Sequence, residues 1–171
     1  MNLSNGIIMH TPDCCFQDKD NNRFRLRAAG IIIENDCILF ATNESENYYY
    51  SIGGGIHLGE TAEHAVIREV LEETGTPYEI DHLVFIHENF YKHDEGNLKN
   101  LSVHEITFYF LMKSRGTQQL NFNNNSQDIK EVLEWLPIDK FQEYKAYPTF
   151  FKEKLKNLQP HIEHILTIQN E

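Results

Sequence analysis

The stretch from Gly53 to Gly75, GGGIHLGETAEHAVIREVLEETG, constrains this chain more than any other. Three consecutive glycines admit a backbone that comes very close to another element, because no Cβ stands in the way. After a short loop Thr61 offers an N-cap, with His64 rather than a glutamate at the capping-box position. A run with helical spacing follows, which Gly75 stops and Pro77 keeps from resuming. At about 100° per residue, Glu69, Glu72 and Glu73 fall within one arc of that helix, with Ala62 and Ala65 on their side. Val66, Ile67, Val70 and Leu71 take the adjoining and opposite sides, so one face is expected to coordinate and another to bury. Three like charges brought together repel unless something positive lies between them. Arg68, next to Glu69 and one turn before Glu72, is placed to orient them by hydrogen bonds, and a divalent ion would balance the rest. Ligation by oxygen alone suits Mg²⁺ or Mn²⁺ rather than zinc.

The surrounding chain is sized for one domain. It has 171 residues, 40% of them hydrophobic, enough to bury a sizeable core. We divide it into a lead-in over residues 1–20, ended by the turn-like DKDNN of Asp18 to Asn22, and a single domain over residues 21–171. A formal net charge of −11 opposes binding to duplex nucleic acid or an anionic membrane, so an anionic substrate needs a metal or a local basic patch. Ile7, Ile8 and Met9 make too short an apolar run for a secretory leader, and no stretch reaches the length of a membrane span. Cys14, Cys15 and Cys37 make an odd total with no spacing that suggests a metal site or a disulfide framework. Cytoplasmic residence is the expectation.

Local patterns supply the remaining elements. From Arg23 the sequence alternates, with Arg23, Arg25 and Arg27 on one face of a strand and Phe24, Leu26 and Ala28 on the other. In so acidic a chain such an arginine row is read as facing phosphate. Asn35 and Asp36 predict a hairpin turn, with Cys37 to Ala41 as the returning strand. Tyr48 to Ile52 is read as a short strand leading into the glycines, Tyr78 to His87 as another, and Val103 to Met112 as a central one. Glu131 to Leu136 gives a last strand, and Pro148 to Leu158 a C-terminal helix. Two polar stretches, Glu88 to Asn100 and Gly116 to Gln127, are read as loops.

The run from Gly54 to Thr76 resembles the Nudix box, G-x5-E-x7-R-E-U-x-E-E-x-G-U, where U is a bulky aliphatic residue. Gly54, Glu60, Arg68, Glu69, Val70, Glu72, Glu73 and Gly75 stand at its positions, and only Thr76 departs. The resemblance implies an α/β fold, the Nudix α/β/α sandwich with a mixed β-sheet between helices. It also implies a hydrolase that uses Mg²⁺ or Mn²⁺ to cleave the pyrophosphate bond of a nucleoside diphosphate linked to another group. On this analogy Glu72 and Glu73 are the principal metal ligands, and Glu69 is a further ligand or a group acting on the nucleophilic water. Glu60 supports the metal, Arg68 orients the glutamates, and the Gly53 carbonyl completes the coordination. An extra carboxylate outside the box is expected as ligand or base; Glu105 is the candidate, with Glu88 and Glu95 behind it.

Substrate contacts are assigned to Arg25 and Arg27 for phosphate and to Tyr49 and Tyr91 for a base. Phe90 and Tyr147 are weaker candidates for the same stacking. Ile52 and Tyr49 stand where many family members have proline and tryptophan, so a different pocket wall is expected. The partner is a small nucleotide, and a homodimer is left open as the assembly. A nucleotide-sensing Nudix-fold domain without catalysis is the alternative, although it would be expected to have lost box glutamates. An isomerase of prenyl diphosphates would call for a catalytic cysteine, whereas Cys37 sits in an apolar strand and suggests packing.

Overall fold

The computed structural model describes residues 11–43, 47–93, 99–121 and 131–169. Its axis is β2 (Asn22–Ile31), where the alternating arginine sequence lies. On one side β2 pairs in parallel with β8 (Ser102–Met112), from Asn22 opposite Ser102 to Ile31 opposite Leu111. On the other it pairs antiparallel with β1 (Cys15–Gln17) and with the glycines of β6 (Gly53–Gly55). Beyond β8 come β7 (Ile80–Lys92), antiparallel, and β11 (Glu163–Ile168), parallel to β7. A second sheet runs in the order β10 (Ala146–Tyr147), β5 (Tyr49–Ser51), β4 (Cys37–Asn43) and β3 (Ile33–Glu34), with β9 (Glu131–Pro137) also paired to β4.

Successive side chains of a strand point to opposite faces, and here both faces are covered. Ala28, Leu39, Ala41, Phe110 and Met112 join Ala65, Val66 and Val70 of α1 (Ala62–Thr74) in one buried cluster. Ala29, Ile38, Phe40 and Tyr109 join a second cluster with Phe141, Phe151 and Leu155. Phe141 comes from a 3₁₀ turn over Ile138–Glu143, and Phe151 begins α2 (Phe151–Lys154). Mixed sheets therefore lie between helical layers, as an α/β/α sandwich requires. Among the described residues no helix is long and apolar enough to cross a membrane.

The local turn chemistry appears as expected. Asn35 and Asp36 both have positive φ, 51° and 60°, the backbone a two-residue hairpin turn needs. Thr61 accepts the His64 N–H at 3.2 Å, and Gly75 ends α1 in the left-handed conformation at φ 63°.

Three expectations need correction. The C-terminal helix is one short turn, continued by a 3₁₀ segment over Leu155–Asn157 and then by β11. Phe150 and Phe151 pack on Phe85, and Phe151 on Phe40, so aromatic packing on the sheet, not helix length, accounts for that apolar spacing. The strand expected to end at His87 runs to Lys92, because Glu88 to Lys92 pair with Ile106 to Ser102. On α1, Ile67 and Leu71 are 43% and 45% exposed, so the buried stripe is narrower than the apolar sequence suggested. Within the lead-in, Cys15 to Gln17 pair with Arg25 to Arg23 as β1. Of the expected loops, residues 94–98 and 122–130 lie outside the described residues.

Candidate active site

Packing against β2 explains the glycines. A Cβ added at Gly53, whose φ is 143°, would lie 2.3 Å from the Ala28 carbonyl oxygen. One at Gly54 would lie 2.4 Å from Glu69 Oε2, so the helix carboxylate rests on bare backbone. The Gly53 N–H donates to Glu73 Oε1 at 3.0 Å, while the Gly53 carbonyl accepts from Arg27 Nη2 at 2.7 Å. One glycine thus joins the helix carboxylates to the arginine row.

Arg68 gathers the box. Its Nε and Nη2 donate to the two oxygens of Glu60, each at 2.9 Å, in a bidentate fork. Nη2 also donates to the Gly55 carbonyl at 2.9 Å, and Nη1 to Glu69 Oε1 at 2.5 Å and Glu72 Oε2 at 3.4 Å. The hydrogen bonds from Arg68 hold the Glu60 carboxyl down at about 2, helped by the His57 N–H. Glu69 behaves oppositely: burial raises its proton affinity, and Arg68 offsets that only in part. Glu72 is the exposed member, its side chain 59% accessible.

A second cluster lies along β2, β8 and β7. Glu105 is buried, with Oε2 3.3 Å from Arg25 Nη1 and Oε1 3.7 Å from Arg27 Nη1. Thr107 Oγ1 donates to Glu105 Oε1 at 3.3 Å. Tyr91 holds its proton more tightly than usual, first through burial and then through the nearby Glu105 charge, while Arg25 opposes the shift. Burial works against the Arg27 charge, but Glu105, Tyr109, Tyr91 and Glu73 outweigh it and raise its pKa. Arg27 Nε and Glu105 Oε2 are buried without a hydrogen-bond partner, an arrangement in which a polar ligand would find unused bonding capacity.

Residues 24–157 match the NUDIX domain family. The chain belongs to the Nudix family. It is 39% identical over 137 residues to a MutT-like protein of Streptomyces ambofaciens, covering 78% of this chain and 79% of that one. Among solved structures it resembles a MutT protein of Bacillus halodurans, at 20% identity and a TM-score of 0.63, covering 84% and 90% of the two chains. It also resembles an ADP-ribose pyrophosphatase of Streptococcus suis, at 19% identity and a TM-score of 0.52, covering 83% and 98%. At those identities the two structures speak for a shared fold.

This Nudix hydrolase therefore has Glu60, Glu69 and Glu72 around Arg68 and its candidate phosphate arginines around Glu105, with Gly53 joining Glu73 to Arg27. Tyr91 belongs to the second group. Tyr49 does not: its hydroxyl donates to Glu134 Oε2 at 2.8 Å and its ring meets Tyr144 edge-on at 5.7 Å. Phe90 stacks on His104 at 4.2 Å and Tyr147 meets Tyr48 at 5.5 Å. Glu88 Oε1 lies 3.1 Å from His104 Nε2, and its other oxygen 3.4 Å from His164. Glu95 lies outside the described residues.

The sequence reading missed two neighbours of Glu105. His87 is buried, with Nε2 2.9 Å from Thr167 Oγ1, and burial lowers its pKa to about 4 despite the Glu105 charge. Tyr109, 3.5 Å from Ser51 Oγ, is pushed up to about 12, again by burial. The alternation of β7 and β8 was the available signal, because His87 and Tyr91 share a face, as do Glu105, Thr107 and Tyr109.

Proposed function

We propose that this chain hydrolyses the pyrophosphate bond of a nucleoside diphosphate linked to another group, with Mg²⁺ or Mn²⁺ as cofactor. The observation that carries the reading is the seating of Glu69 and Glu73 against the Gly53–Gly54 backbone while Arg68 holds Glu60, Glu69 and Glu72. Among the described residues no three His, Cys, Asp or Glu side chains already converge as a metal cage. The donors nonetheless fit a hard cation: all are oxygens, and Glu72 and Glu73 lie one turn beyond Glu69 on the same helix. Glu72, Glu73 and the Gly53 carbonyl would hold it, with Glu60 in support. When bound, such an ion neutralises charge developing on phosphate oxygens and activates water.

The chain's own groups do the rest. Water adds across the P–O–P linkage and leaves two phosphate-ended products. Glu69, whose burial raises its proton affinity, is suited to receive the proton that the attacking water gives up. Arg68 fixes the direction in which that carboxylate points. Arg25 and Arg27 present guanidinium groups to the phosphates, and Tyr91 offers its ring to the base. To Glu105 we assign the holding of the two arginines, in place of a ligand or base role, since both its oxygens face them.

A substrate panel with either metal tests this reading: modified nucleoside triphosphates, dinucleoside polyphosphates, ADP-ribose-like sugars and capped RNA ends. Glu73→Gln keeps an oxygen for the Gly53 N–H but removes the charge. It is expected to lose more than about 100-fold in kcat, since even groups behind the ligands cost 10–100-fold. Undiminished turnover in that variant, or no hydrolysis of any diphosphate by the wild type, overturns the proposal.

A further inference from the structure

The segment just before the matched region reaches into the box loop. Asp13 forms an isolated antiparallel bridge with His57. Around it the Leu58 N–H donates to the Pro12 carbonyl at 2.9 Å, and the Cys14 N–H to the Ile56 carbonyl at 2.7 Å. The Asp13 carboxylate lies over Gly55, where an added Cβ would come within 2.4 Å of Oδ2. Its Oδ1 is 3.5 Å from His57 Nε2, and His57 Nδ1 is 3.7 Å from Glu60 Oε2. That same glutamate oxygen accepts the His57 N–H at 3.0 Å and Arg68 Nη2 at 2.9 Å.

We propose that Asp13 is a positioning residue: through His57 and Glu60 it sets the plane of the Arg68 guanidinium, and through Arg68 the direction of Glu69. This rests on the hydrolytic reading above. Backbone bonds hold the ends of the loop, but its tip has few side-chain contacts. Leu58 is 68% exposed and Gly59 adopts φ 85° with no neighbour within 4 Å of a would-be Cβ. Glu60 is bonded to Arg68 on both oxygens, so a shift of Glu60 turns the whole guanidinium and moves Nη1 relative to Glu69. Substrate contacts at Arg25, Arg27 and Tyr91 are not part of this chain of contacts. Loss of Asp13 therefore acts on turnover and metal affinity and spares substrate binding.

The test is a double-mutant cycle with Asp13→Asn and His57→Gln, neither of which removes the backbone bonds at Pro12 and Cys14. Each single variant is expected to lower kcat about 5- to 10-fold, at the low end of effects from groups behind metal ligands, with KM within about twofold. The double variant loses no more than the worse single, because both act through one path. Mn²⁺ titration, followed by the electron paramagnetic resonance signal of the free ion, shows binding weakened several-fold in both singles. Wild-type kcat and Mn²⁺ affinity in Asp13→Asn, a loss in the double equal to the product of the singles, or a KM effect at constant kcat would each overturn the proposal. A wild type that hydrolyses nothing overturns the hydrolytic reading instead, and the Mn²⁺ titration still judges Asp13.

Discussion

Two arginine–carboxylate clusters lie on either side of Gly53, and they are built on opposite plans. Arg68 donates from all three of its nitrogens, to Glu60, Glu69, Glu72 and the Gly55 carbonyl. Around Glu105 the geometry is looser: its charge pairs stand at 3.3 and 3.7 Å, and Arg27 Nε has no hydrogen-bond partner. A saturated guanidinium positions its neighbours; an unsaturated one has capacity left for a ligand. On the reading proposed above, the contrast separates a cluster that would organise the chemistry from one that would receive the substrate.

The sharpest way to break that contrast is Arg68→Lys. A point charge cannot reproduce the fork to Glu60, so kcat is expected to fall about 10- to 100-fold with KM little changed. A rise in KM at constant kcat would place Arg68 among the substrate groups instead. Next comes Glu105→Gln, which leaves Arg25 and Arg27 without their counter-charge. It should lower the unfolding free energy in urea by about 2 kcal/mol, below the usual cost of a broken buried pair because Arg25 is partly exposed. KM should rise as the arginines lose their aim. An unchanged urea midpoint would mean the pairs contribute nothing to stability.

His87 supplies a pH test of the same pocket wall. Its folded pKa of about 4 lies below the ordinary 6.5, so between those values the unfolded chain binds more protons. Stability from this site is full above pH 6.5 and is lost as pH falls towards 4. The loss should amount to about 2–3 kcal/mol and should shrink in His87→Phe, which keeps a ring against Phe150. Equal acid sensitivity in the variant would assign the effect elsewhere. The smallest effect is expected from Tyr49→Phe, whose hydroxyl serves Glu134. KM should stay within about twofold, and a larger rise would bring Tyr49 back to the substrate.

What could be read from the sequence was local. Thr61, Gly75, the Asn35–Asp36 turn and the arc of Glu69, Glu72 and Glu73 depend on residues a few positions apart, and cap chemistry and helix period speak directly to such distances. The pairing of Arg25 with Glu105 depends on a parallel register between strands far apart in the chain, which no local pattern encodes. β11 escaped for a related reason. Glu163 to Ile168 alternates for only six residues after Pro160, and its partner is the distant β7, with Ile165 packed, like Phe150, against the buried cluster that holds Phe151. Asp13 sits in a segment without a period, so nothing in it announced a contact with the box loop.

The parallel pairing of β11 with β7 also orders events during synthesis. β2, β6 and α1 are near neighbours in the chain, so the box and its arginine can come together while much of the polypeptide is still being made. His87 meets Thr167 only after β11 has left the ribosome. The side built from α1 and the glycines is thus poised to assemble early, and the His87–Thr167 wall beside Glu105 to close late.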